Sequence, residues 1–264
     1  MSLQIEKKRR VLRITLNRPE KRNALTGAMC DEIAGAISSA QEDVEIGSIL
    51  ITAVGQVFCA GMDLDEAITP AGLDSAAAHE RLFSVGFNST KPIVISVSGA
   101  ALGGGLGLVA QGHVVLAERS SVFALPEIHI GLWPFLVYRA VENAIGTRRT
   151  LALSLTARSF TADEALAWGL IHKISPDDEV YDRACNLARD LAKASPRAIL
   201  AGMTYARDSR GKSIQEAGQI ARELRDELMK SEDFQEGVSA FKHKRDPVWP
   251  SMPVGFYHNK HHTH

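Results

Sequence analysis

Three consecutive glycines, Gly103, Gly104 and Gly105, stand in the run AALGGGLGLVA from Ala100 to Ala110. They separate an apolar, strand-like run, Pro92 to Val97, from a segment able to open a helix. Glycine gives up more backbone entropy on folding than any other residue, so a run of three answers a need for positive φ or close backbone approach. At a strand-to-helix turn the first amides of the helix lack internal acceptors and can hold negative charge, a phosphate's or an oxyanion's. No Lys-Ser/Thr pair follows, so the phosphate-loop pattern is absent, and Leu108 stands where a dinucleotide turn needs its third glycine. The glycines alone leave two readings open, an oxyanion hole and tight helix packing.

A second small-residue turn, FCAGMDL at Phe58 to Leu64, follows the apolar strand Ser48 to Val54. Further stretches are NRPEKRNAL at Asn17 to Leu25, LPEIHIGL at Leu125 to Leu132, TADEALAWGLI at Thr161 to Ile171 and FKHKRDPVW at Phe241 to Trp249. In this order and spacing, over Asn17 to Trp249, the motifs resemble the enoyl-CoA hydratase/isomerase family, the crotonase superfamily. They are specific to the superfamily and much less so to one reaction. The resemblance implies an α/β fold, a spiral of ββα turns with a helical C-terminal region that packs in trimers or dimers of trimers. The expected division is an acyl-CoA-binding core over 1–194, an oligomerisation region over 195–257 and a His-rich tail over 258–264, disordered and outside the fold.

The 264 residues suffice for one large domain or a domain with a helical appendage. A net charge of −1 gives no overall field for nucleic acid or a membrane surface. Cys30, Cys59 and Cys185 are odd in number, far apart and outside any CxxC, which points to a reducing compartment and to neither a disulfide framework nor a metal site. No apolar run reaches the ~18 residues of a membrane span. The chain reads as cytoplasmic.

Taken in order, Ile5 to Leu16 has the pattern of a strand. Thr26 can cap a helix in which Leu25, Met29, Ile33 and Ile37 share a face. Asp65 to Leu73 reads as a loop and Ser75 to Asn88 as a weakly amphipathic helix. His113 to Ala117 and Ser121 to Leu125 are two short strands, and Pro134 to Ile145 and Thr147 to Leu155 are helical. Thr161/Glu164 and Ser213/Glu216 are capping boxes, and Ser195-Pro196 opens another helix. Strands and helices alternate through the first two thirds, and only helices follow, which by itself gives α/β with a helical C-terminus.

The resemblance assigns the oxyanion donors to the N–H groups of Met62 and Gly104, aimed at a thioester carbonyl so that an enolate is favoured. Such donors are worth roughly 3 kcal/mol each. Glu127 matches the family's catalytic acid/base. Pro126 beside it, and the apolar Phe123, Leu125, Ile128 and Ile130, predict a site where burial raises the carboxyl pKa. His129, two residues on, would face the same way if the segment is extended; it is a second acid/base or a structural histidine. Substrate contacts implied by the family are Lys21, Arg22 and Ala24 in the nucleotide-contact loop, Ala60 and Gly103 in the two turns, and Phe241 and Lys244 at the C-terminal contact. Trp133, in bulky LWPFL where the family carries a glycine-rich stretch, reshapes the acyl pocket or packs the core. Asp63 is expected to brace its turn. No cofactor and no metal is expected, because coenzyme A enters as part of the thioester substrate.

One departure bears on the reaction. Family hydratases carry a second glutamate three residues past the middle glycine, where this chain has Gly107. Hydration uses two carboxylates, whereas a single base suffices to move a proton between two carbons, as in the family's enoyl-CoA isomerases. The expected reaction is therefore single-base isomerisation of a 3-enoyl to a 2-enoyl thioester. Hydration with an unidentified second acid/base is one alternative, and non-catalytic acyl-CoA binding is another. RNA binding, known in one branch of the family, ranks last, since the first helix contains acids and no lysine.

Overall fold

The computed structural model describes residues 1–253. The chain opens with β1 (Leu3–Lys8) and β2 (Val11–Leu16), paired antiparallel with Lys8 opposite Val11. The single strand expected over Ile5 to Leu16 is thus a hairpin. Arg9 and Arg10 both have positive φ, 50° and 64°, the mark of a two-residue turn that matches strand twist. Alternation does not reveal it, because Arg-Arg lacks the Asn-Gly signature. Helix α1 (Gly27–Glu42) is capped by Thr26, whose hydroxyl accepts the Met29 amide, and it buries Met29, Ile33 and Ile37.

From β3 onward the chain alternates between two sheets. Strand β3 (Ser48–Ala53) is followed by β4 (Val57–Cys59), and then by short helices α2 (Leu64–Ala67), α3 (Pro70–Asp74), α4 (Ala76–Leu82) and α5 (Val85–Asn88). The loop expected over Asp65 to Leu73 is helical, capped by Asp63 and Thr69. The helix expected over Ser75 to Asn88 breaks after Leu82. Next come β5 (Ile93–Val97), β6 (Ala100–Leu102), α6 (Gly104–Val109), β7 (Val114–Glu118) and β8 (Val122–Ala124). Helices α7 (Phe135–Ile145) and α8 (Thr147–Thr156), strand β9 (Phe160–Thr161), α9 (Ala162–Trp168) and β10 (Lys173–Ser175) complete the spiral.

The larger sheet runs β1-β2-β3-β5-β7-β10 and the smaller β4-β6-β8-β9, so each turn of the spiral leaves one strand in each. Beyond the hairpin the larger sheet is parallel, and its β3 and β5 are almost wholly buried, as parallel strands covered on both faces must be. Helix α10 (Val180–Ala192) covers one face, packing Val180, Ala184 and Ala188 on Val11, Leu50 and Val94. The other face joins the main core around Ile14, Ile49, Ile93, Leu106 and Phe123.

Helices α11 (Pro196–Asp208), α12 (Ile214–Met229) and α13 (Glu232–Lys242) begin on the capping signals of Ser195, Ser213 and Ser231, each hydroxyl accepting the amide three residues on. Neither α11 nor α12 buries a residue within one chain. The His-rich stretch 258–264 and the end of the 195–257 region lie outside the described residues.

Candidate active site

Strands β4, β6 and β8 are neighbours in the smaller sheet and run parallel, with Cys59 opposite Ala101 and Leu102 opposite Ala124. Their C-terminal ends therefore release three segments side by side: Ala60–Met62, Gly103–Gly104 and Pro126–Glu127. Ligands of parallel α/β sheets bind outside such strand ends.

The two glycine turns abut. Gly61 has φ +98°, and a Cβ there would lie 3.0 Å from the Leu102 carbonyl oxygen and 3.3 Å from the Gly104 nitrogen. Leu25 pairs with Met62 as an isolated parallel bridge: its N–H donates to the Gly61 carbonyl (2.7 Å) and its carbonyl accepts the Asp63 amide (2.8 Å). Since Gly61 O and Asp63 N face Leu25, the Met62 N–H between them faces the other way. Gly104 is the first residue of α6, where an amide has no intrahelical acceptor. Among the described residues neither amide has a hydrogen-bond partner. Two free donors thus stand on abutting turns, and Ala60 and Gly103 flank them.

Glu127 opens a 3-10 turn, Glu127–Ile130. Its carboxyl lies over Gly103: a Cβ on that glycine, which has φ +52°, would be 2.9 Å from Oε1. Only glycine permits both this φ and this approach. Oε2 is buried with no hydrogen-bond partner among the described residues. Burial raises the carboxyl above its usual range, against the opposing pull of its own backbone amide, as expected for a base held out of water. The apolar surroundings are in part not those expected. Phe123 and Leu125 are fully buried, but Ile128 and Ile130 are exposed. Nor is the segment extended. In a 3-10 turn residues two apart point to different sides, so His129 is exposed and does not share the orientation of Glu127. Trp133 is half-buried and stacks on Tyr138 with ring centroids 6.1 Å apart.

The position of the missing carboxylate is filled. A Cβ on Gly107 would overlap Val137 Cγ1 and lie 2.7 Å from Val137 Cβ and 3.2 Å from Phe83 Cδ1. The Phe83 ring also reaches Gly104, with Cζ 3.4 Å from that residue's Cβ position. Phe83 and Val137 are both buried, and sequence reasoning picked out neither. Beside Phe83, His79 is buried with Nδ1 3.0 Å from the Ser75 carbonyl oxygen. Its Nε2 has no partner among the described residues.

The loop carrying Lys21, Arg22 and Ala24 is tied to the first turn. The Ala60 amide donates to the Arg22 carbonyl (3.0 Å). Buried Asn23 donates to the Val54 and Val57 carbonyls (2.9 and 2.8 Å) and accepts the Arg18 amide (2.8 Å). Arg18 pairs with Asp63, whose Oδ1 also caps α2 through the Asp65 and Glu66 amides. Burial alone would raise the Asp63 carboxyl, but the Arg18 guanidinium and the two amides outweigh it and hold it below the usual range. Asp63 thus braces its turn. Lys21 is exposed and pairs with Asp65 at 2.7 Å, which raises its pKa. An exposed pair of this kind is worth little. Arg22 is exposed, with φ 52°. Phe241, at the exposed end of α13, and Lys244, just beyond it, are joined to the turns by no interaction among the described residues. A cavity of ≈ 260 Å³ at the far end of α6, lined by Gln111, His113, His172 and Arg210 among others, includes none of these site residues.

The family model described as enoyl-CoA hydratase/isomerase matches residues 6–252. The chain is 34% identical over 249 residues to the 2,3-dehydroadipyl-CoA hydratase of Escherichia coli K12, covering 92% of this chain and 96% of that protein. It is 30% identical over 245 residues to the human mitochondrial enoyl-CoA hydratase domain-containing protein 3, covering 91% of this chain and 81% of that protein. The crystal structure of that human protein superposes with a TM-score of 0.89 at 27% identity, covering 94% of this chain and 100% of the solved one. With two amide-bearing glycine turns, a buried carboxyl over one of them and these relationships along nearly its whole length, the chain belongs to the enoyl-CoA hydratase/isomerase family.

Proposed function

We propose that the protein moves a proton within an enoyl-CoA thioester, converting a 3-enoyl to a 2-enoyl group with Glu127 as the single base. The observation that carries this reading is the packing at Gly107: Val137 and Phe83 occupy the place of a second carboxylate. In the proposed cycle the Met62 and Gly104 amides receive the thioester oxygen as it gains charge. Glu127 takes a proton from the carbon next to the carbonyl and delivers one, exchangeable with solvent while the carboxyl holds it, to the γ carbon of the conjugated enolate. No water is consumed, so an apolar wall beside Gly104 helps the reaction. Lys21, Arg22 and Ala24 contact the nucleotide end of coenzyme A, and Trp133 borders the acyl chain. Phe241 and Lys244 reach the nucleotide end from an adjacent subunit of a trimer.

Incubation with panels of 2-enoyl- and 3-enoyl-CoA thioesters, with products separated by mass and double-bond position, tests the reading. Interconversion without mass change is expected; products 18 Da heavier would replace it with hydration.

Hydration is the second reading. It is favoured by the names of the relatives and by one observation, the unpartnered Nε2 of buried His79 beside Phe83. In that case His79→Gln removes the hydrated product, whereas an isomerase keeps its activity in that variant. The compartment is also a proposal: three buried free cysteines fit a reducing one. Among the described residues no helix is long and apolar enough to cross a membrane.

A further inference from the structure

We infer that Val137 of α7, backed by Phe83, is the residue that sets the reaction type, by holding hydrocarbon in the niche above Gly107. This rests on the proposed enolate chemistry for its consequence, but not for its geometry.

Gly107 lies three residues past Gly104 on α6, so the two share a face. A side chain at 107 would leave α6 beside the oxyanion turn, where a carboxylate could hold water against the β carbon. The Phe83 ring spans the same face from Gly104 to Gly107. Val137 closes it from the opposite helix, so closely that even a methyl group at 107 would overlap it. Val137 cannot swing aside: it is β-branched on a helix, with one strongly preferred rotamer, and it is buried. Absence of a glutamate and presence of valine are therefore one feature. Gly107→Glu alone has nowhere to go.

Hydration needs water oxygen to bond to the β carbon while a carboxylate takes one water proton. The double-bond electrons then pass to the thioester oxygen, and a proton is returned to the α carbon. With Val137 in place a carboxylate at 107 does not fit, no group there holds the water, and the enolate is reprotonated on carbon by Glu127 alone. Removing the valine side chain and supplying the carboxylate should restore both groups.

Two measurements test this. Thermal unfolding of Gly107→Ala, Val137→Gly and the double variant reads the packing without any substrate. Gly107→Ala is expected to lower Tm by about 5 °C, and by less than half that in the Val137→Gly background. An unchanged Tm in Gly107→Ala, or an equal loss in both backgrounds, overturns the contact. Turnover of 2-enoyl-CoA by Gly107→Glu and by Gly107→Glu/Val137→Gly reads the reaction. The single variant, like wild type, should form no hydrated product, and the double variant should form it at a rate at least about tenfold above the background measured with wild type. Hydration by the single variant, a folded double variant without that gain, or failure of Gly107→Glu to fold in both backgrounds each overturn the inference. If wild type moves no proton in any enoyl-CoA, the proposed function fails while the Tm coupling still stands or falls separately.

Discussion

At Glu127 the burial that suits the carboxyl to the proposed role of base also destabilises the fold. In the unfolded chain the group ionises at its ordinary value, and in the fold burial raises it. Between the two values the unfolded state loses its proton first, so stability falls as pH rises through that window and stays lower above it. Glu127→Gln, neutral at every pH, is expected to melt higher than wild type at neutral pH and above, and to lose that advantage below about pH 4. A Tm difference constant with pH would remove ionisation of Glu127 from the balance. The rate of proton movement should show the opposite dependence, rising with pH through the raised pKa as the base form accumulates. Glu127 and Gly104 were picked out as candidates through the family resemblance, whose motifs are local in sequence, and Gly107 as a departure from the family's pattern. Arg18, Asn23, Phe83, Val137 and His79 were not. Arg18, Asn23, Phe83 and Val137 act through partners far away in the chain, His79 belongs to no motif, and no spacing records that Val137 of α7 meets Gly107 of α6.

At the scale of elements, three parallel strand ends and two abutting turns hold the proposed donors at one place. Gly61 is the sensitive point, since a Cβ there meets Leu102 O and Gly104 N at 3.0 and 3.3 Å and φ is +98°. Gly61→Ala should push the turns apart and cost about 10²–10³ in kcat, the loss of roughly one donor, with a smaller change in KM. An unaltered kcat would mean that the Met62 amide does not contact the reacting oxygen. Capped helices were the most legible elements: Thr161 and Ser213 form the capping boxes their spacing predicts, because both partners lie within one turn. The strands β4, β6, β9 and β10 were missed. Two or three residues rarely show a period, and tertiary pairing decides them; β8 was read because it lies within the longer run Ser121 to Leu125. The alternation between two sheets, which aligns the site, was therefore visible only through the family resemblance.

At the scale of the molecule, α11 and α12 bury nothing within one chain, and Leu200, Ile214, Phe234 and Phe241 are exposed on the helical region. An apolar face of this kind is incomplete alone. The expected assembly is a trimer of 28.6-kDa chains or a pair of them, read by light scattering after size exclusion; a monomer at micromolar concentration would contradict it. In such an assembly Phe241→Ala and Lys244→Ala should raise KM for the thioester several-fold, roughly 1 kcal/mol, and leave kcat nearly unchanged. Equal effects on kcat would place these residues elsewhere in the cycle. The most direct test of the whole account is deuterium uptake by an enoyl-CoA thioester in D₂O, followed by mass for wild type and Glu127→Gln. Label is expected to enter the α or γ carbon with no water added, slowed about 10²–10⁴-fold in the variant. Uptake at an unchanged rate in Glu127→Gln, or a hydrated product from wild type, would contradict it.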